Sequence, residues 1–139
     1  MRRTLIALAL SVSALVAAAV AAGATGTKFE IALKGTNESP AAPASNSGRV
    51  ELTLNAKTGK VCWDFKLKKI DGKPSQAHIH KGKRGVSGNV LVPLGGTYKR
   101  QGCTTAPKAT VKAILRSPGS YYVNVHNAKH PLGAMRGQL

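Results

Sequence analysis

The sequence predicts an all-β fold, an antiparallel Greek-key β-sandwich or barrel with at most one short helix. Three observations carry this. Apolar and polar residues alternate with period two in successive short runs. The runs recur at intervals of about 8 to 12 residues, as in all-β domains. Clusters of Gly, Pro, Ser and Asn separate them. One segment departs from the pattern: in Pro107 to Arg116, Val111, Ile114 and Leu115 would share a helical face, so a short helix or a turn is expected there.

The chain has 139 residues, enough for one domain, but residues 1–24 read as a secretory signal peptide. Arg2 and Arg3 form a basic start, Leu5 to Ala22 is an almost unbroken apolar run, and Ala22-Gly23-Ala24 supplies small residues for cleavage before Thr25. An uncleaved anchor is the alternative, since the run is near the lower length limit for a membrane span. Either way residues 25–139 form a domain outside the cytoplasm, secreted or held in a periplasm or cell wall.

Within that domain, Lys28 to Gly35 sets Phe29, Ile31 and Leu33 against polar neighbours and reads as a strand with one buried face. Asn37 to Gly48, dense in Pro, Ser, Asn and Ala, is a loop; its Asn37-Glu38-Ser39 fits a glycosylation sequon, weakened by Pro40. Arg49 to Asn55 and Lys60 to Lys68 flank Ala56-Lys57-Thr58-Gly59 as the strongest hairpin, with Val61, Trp63, Phe65 and Leu67 on its apolar face. A polar connection, Lys69 to Ser75, leads to the strand Gln76 to Gly82, and Lys81 to Gly88 follows as a basic, glycine-rich turn without a phosphate-loop ending. Asn89 to Leu94, Tyr98 to Thr105, Tyr121 to His126 and Ala134 to Leu139 supply the remaining strands.

Charge and cysteines bound the function. Loss of Arg2 and Arg3 leaves 19 basic against 5 acidic side chains, a net +14. So basic a domain is attracted to polyanions, and its compartment points to an anionic envelope or matrix polymer, or a protein, rather than nucleic acid; a plain solvated lysine surface serves the same composition. A membrane contact is expected only through an uncleaved signal segment. Cys62 and Cys103, an even pair without C-x-x-C spacing, are expected to form a disulfide. Glu30, Glu38, Glu51, Asp64 and Asp71 are singly scattered in sequence, and there is no Gly-x-Ser-x-Gly elbow, so no catalytic residue is assigned and the reading leans away from an enzyme.

The chemically distinctive stretch is Gln76-Ala77-His78-Ile79-His80-Lys81-Gly82. In an extended strand His78 and His80 share one face, with Ala77 and Ile79 on the other. His126 belongs to the polar face of its own strand in the same way. Together with Gly35-Thr36-Asn37-Glu38-Ser39-Pro40, Tyr122-Val123-Asn124-Val125-His126 and Gly133-Ala134-Met135-Arg136-Gly137-Gln138-Leu139, the histidine stretch resembles the CHRD (chordin-type) domain family, in its small secreted bacterial form. The resemblance covers nearly all of residues 25–139 in order. It implies a secreted β-sandwich but no catalytic residues. A weaker similarity is to copper-zinc superoxide dismutases, Greek-key proteins with a His-x-His pair, a later histidine and a C-terminal arginine. His78, His80, His126 and Arg136 match those parts, whereas the bridging histidine and the zinc-ligand carboxylate have no counterpart. The fold is thus expected to be immunoglobulin-like or superoxide-dismutase-like.

Two readings of the site follow. In the first, preferred, His78, His80, Asn124, His126 and Arg136 form a structural polar network in a non-catalytic binding or structural module. In the second, His78, His80 and His126 hold copper or zinc, with superoxide or other redox chemistry open to it. The second requires the three imidazoles to converge, needs acceptors for their free ring N–H groups, for which Asp64, Asp71 or backbone carbonyls are candidates, and must accommodate the permanent charge of Arg136. His130, in a loop beside Pro131, is expected to be exposed rather than a fourth ligand.

Overall fold

A computed structural model describes residues 25–139; the expected signal peptide lies outside the described residues. Eight strands form one antiparallel sheet: β1 (Thr27–Lys34), β2 (Ser47–Asn55), β3 (Lys60–Lys69), β4 (Pro74–Lys81), β5 (Val90–Pro93), β6 (Gln101–Thr105), β7 (Tyr121–Asn127) and β8 (Met135–Gln138). The spatial order is β5-β4-β7-β8-β1-β2-β3-β6. β1, β2 and β3 form a meander of two hairpins, and the last strand, β8, lies antiparallel beside β1, giving the all-β antiparallel architecture expected from the sequence.

The sheet curls into a nearly closed barrel because the β5–β6 connection bridges its two edges. Leu94 and Tyr98 donate their N–H groups to the carbonyls of Ala77 and Ser75 on β4, and Arg100 offers its carbonyl to the Phe65 N–H on β3. Edge N–H and C=O groups that would otherwise solicit another chain are thereby paired. The inward positions carry the expected apolar alternation, with Leu33, Leu52, Leu54, Val61, Phe65, Ile79 and Val123 all buried. Truncating Phe65 to Ala would cost about 3–5 kcal/mol on the usual scale for a fully buried aromatic.

The ambiguous segment is helical: α1 (Lys108–Arg116) turns Val111 and Ile114 into the core, while Leu115 is only half-buried. No helix among the described residues is long and apolar enough to cross a membrane. Cys62 and Cys103 are bonded, as expected, at directly opposed positions of β3 and β6.

Two differences from the sequence reading matter. β4 begins at Pro74, so the polar connection is shorter than its composition suggests; register irregularity between Pro74 and Gln76 absorbs the proline. The loop from Asn37 to Gly48 is no free excursion. It folds back over the sheet's outer surface, anchored by Asn46 Nδ2 donating to Ala134 O and by Asn37 Nδ2 donating to Arg136 O. The sequon nitrogen is therefore occupied within the fold.

Candidate functional site

Strand register gathers the polar residues of β4, β7 and β8 on the barrel's outer face. His78 lies opposite Asn124, and Asn124 opposite Arg136; His80 lies opposite Tyr122, and Tyr122 opposite Gln138; Gln76 lies opposite His126. An outer face normally meets water. Here two segments cover it, 35–46 and 82–89, so Glu38, His80, Asn124 and Arg136 are buried, while His78 and His126 remain half-buried.

Burial of these groups requires partners, and the covering segments provide them. The guanidinium of Arg136 donates to Val86 O at 2.9 Å, Lys83 O at 2.7 Å and Gln138 Oε1 at 3.3 Å, with its carbon 3.3 Å from the Tyr122 ring centroid. Gln138 Nε2 holds Gly82 O and Gly119 O. The Tyr122 hydroxyl accepts from the Gly88 N–H at 3.1 Å. The glycine-rich turn is thus fastened by β7 and β8 side chains, and Arg136 is occupied by carbonyls and an aromatic face. Its charge also has a counterpart: the Glu38 carboxyl lies within its field.

The three histidines converge. One ring nitrogen from each of His78, His80 and His126 can be chosen so that all lie within 4.8 Å of one another. His78 Nδ1 is 3.1 Å from His126 Nε2. His80 stacks parallel to Tyr122, ring centroids 4.8 Å apart. Two of the rings are fixed by carbonyls: His80 Nδ1–H donates to Gly88 O and His126 Nδ1–H to Pro131 O, each at 2.9 Å. Those bonds set the tautomer and leave both Nε2 atoms as acceptors. Without a metal, His78 then donates its Nδ1–H to His126 Nε2, while His80 Nε2 is buried with no partner.

The rings are neutral at pH 7. Burial, then the fields of His126 and His80, pushes His78 down to about 4. Burial also lowers His80 and His126, although the Gly88 and Pro131 carbonyls oppose it. Neutral imidazole is the metal-binding form. Three ligands of a tetrahedral ion with bonds of 2.0–2.1 Å stand about 3.3 Å apart, so small side-chain rotations would close the triangle.

The acids proposed as ring partners serve elsewhere. Asp64 pairs with Arg100 at 2.8 Å, and Asp71 with Lys129 at 2.6 Å and His130 at 3.5 Å. His130 stands outside the histidine triangle, half-buried rather than exposed. Nor are the acids scattered in space: Glu30, Glu51 and Asp64 occupy one register row across β1, β2 and β3, with Lys28 and Arg100 paired into it. The remaining acid, Glu38, was missed as a site residue. It is 8% exposed, with Oε1 unpartnered, and desolvation outweighs Arg136 and Asn124 to push it up to about 7. Its place in a Ser/Pro-rich loop gave no signal of burial, since the cover it meets, Gly133, is remote in sequence.

A nearly closed antiparallel barrel with a loop-covered face on which three imidazoles converge thus defines an all-β domain. The chain belongs to the CHRD domain family, which matches residues 29–139. No curated protein and no solved structure gave a match.

Proposed function

We propose that this CHRD-domain chain is a secreted or otherwise extracytoplasmic, non-catalytic binding module whose His78, His80 and His126 hold one copper or zinc ion. The observation that carries the reading is the convergence of three neutral imidazoles within 4.8 Å, two of them oriented by the Gly88 and Pro131 carbonyls. Carbonyl-anchored rings are the usual support around such metals. The Arg136 charge does act against a positive charge at His80, and the Glu38 carboxyl and the Tyr122 ring beside the guanidinium soften that field. The Cys62–Cys103 disulfide supports an oxidising compartment, and residues 1–24 supply the expected export signal cleaved before Thr25.

Elemental analysis after loading and dialysis tests the site. One metal per chain, lost in His80→Ala and His126→Ala variants that keep their β-sheet spectrum, is the expected result. Metal absent from the dialysed wild type, or retained equally by both variants, overturns it.

A second reading concerns the surface. Of the five acids, Glu38 is buried and Glu51, Asp64 and Asp71 are each within reach of a basic partner, which leaves most of the lysines and arginines uncompensated. This supports docking on an anionic envelope or matrix polymer. Retention on such a polymer at physiological salt, beyond that of an unrelated protein of equal charge, is the test; equal retention removes specific recognition.

A further inference from the structure

Asn124 stands at the centre of the histidine face. It is the direct register partner of His78, lies two residues from His126 on the same side of β7, and is 1% exposed. Its side chain lies beside the His80 ring. Because His80 Nδ1–H is spent on Gly88 O, the ring atom left to face Asn124 is Nε2. Yet Asn124 Oδ1 and His80 Nε2 are both buried without a hydrogen-bond partner. Both are acceptors, and two desolvated acceptors turned toward one another are costly unless something positive lies between them.

We propose that Asn124 Oδ1 is the fourth protein ligand of the ion held by His78, His80 and His126, closing an N3O tetrahedral shell. This rests on the three-histidine reading and extends it. A hard amide oxygen beside three imidazoles suits Zn(II), or Cu(II), better than the soft Cu(I) ion. Glu38 supports the arrangement: the Asn124 amide lies beside its carboxyl, and an Nδ2–H donated there would leave Oδ1 for the ion. Four protein ligands with no open position mark a structural rather than a catalytic shell. The competing arrangement is metal-independent. With the amide turned over, Nδ2–H would donate to His80 Nε2, and a protonated Glu38 would donate to Oδ1.

Zinc affinity measured by competition with a chromophoric chelator separates these. The wild type, Asn124→Ala and Asn124→Asp are compared, each checked for the native β-sheet spectrum. Asn124→Ala is expected to bind zinc about 10–100-fold more weakly, while Asn124→Asp, which keeps an oxygen donor, stays within about threefold of the wild type or tighter. If Asn124→Ala does not fold, the near-isosteric Asn124→Leu takes its place: the fourth ligand predicts the same weakening, whereas the metal-independent network, in which Nδ2–H competes with the ion for His80 Nε2, predicts wild-type affinity or tighter. Wild-type affinity in Asn124→Ala, or equal weakening in both variants, overturns the fourth ligand while leaving the histidine site intact. A wild type that holds no zinc removes the histidine site itself, and this extension with it.

Discussion

Replacing Glu38 with Gln tests the buried polar cluster through pH. Glu38 is pushed up to about 7 from its ordinary 4.5, chiefly by desolvation, with Arg136 and Asn124 pulling the other way. A raised carboxyl binds its proton more tightly in the folded chain than in the unfolded one. Its contribution to stability is therefore complete below about pH 4.5 and is lost as pH rises through about 7. At 1.36 kcal/mol per pH unit, the separation between 4.5 and about 7 amounts to about 3 kcal/mol in full, and about 2 after allowing for solvent reaching the loop. The neutral amide of Gln cannot ionise, so the variant lacks this loss. Urea unfolding of wild type and Glu38→Gln at pH 4 and pH 8, in chelator, gives four free energies. The cost of a poorer Gln fit is the same at both pH values and cancels in their difference, as do the histidines. The stability of the variant relative to wild type is expected to improve by about 2–3 kcal/mol between pH 4 and pH 8. No change would mean that Glu38 is effectively solvated. A change of opposite sign would mean that Arg136 wins over desolvation.

Three further outcomes follow from the same geometry. Reduction of Cys62–Cys103, which closes a loop with a sequence separation of 41, is expected to cost about 4 kcal/mol in the chain-entropy account; a shift in urea midpoint equivalent to under about 1 kcal/mol would contradict it. Gly133 has a φ of 144°, and a Cβ there would run into the Glu38 carboxylate, so Gly133→Ala should destabilise by at least about 2 kcal/mol in thermal or urea unfolding. Because all three site histidines are held below the ordinary 6.5, His78 at about 4, protons should displace a bound ion only in the acid range. Retained metal measured against pH should hold through pH 6 and fall below it, whereas a half-loss at 6.5 would indicate solvated rings.

The barrel was legible because period-two alternation is written locally: Val61, Trp63, Phe65 and Leu67 read as one apolar face and form one, buried at the first three and half-buried at Leu67. The same parity placed His78 with His80, and His126 on a polar face. Period two says nothing of which strands are neighbours, however. β4 and β7 are separated by residues 82–120 of intervening chain, and only their register sets His78 against Asn124. For the same reason Glu30, Glu51 and Asp64 looked scattered while forming one row. The cover was illegible for a different reason. A face reads as solvent-exposed when its residues are polar, so nothing local could tell that segments 35–46 and 82–89 would bury Glu38 and Arg136, or that Gly88 and Pro131 would offer the carbonyls that orient two rings. Arg136 has two parts: its charge acts against a cation at His80 as its sequence position suggested, and its guanidinium fastens the loop that holds His80, which only the fold reveals.

The most direct measurement is anomalous scattering from a crystal of the chain loaded with zinc. One strong peak is expected about 2.0–2.1 Å from a ring nitrogen of each of His78, His80 and His126, with His80 Nδ1 still on Gly88 O and His126 Nδ1 still on Pro131 O. A fully loaded crystal with its peak elsewhere, or none at the three rings, would contradict the three-histidine site.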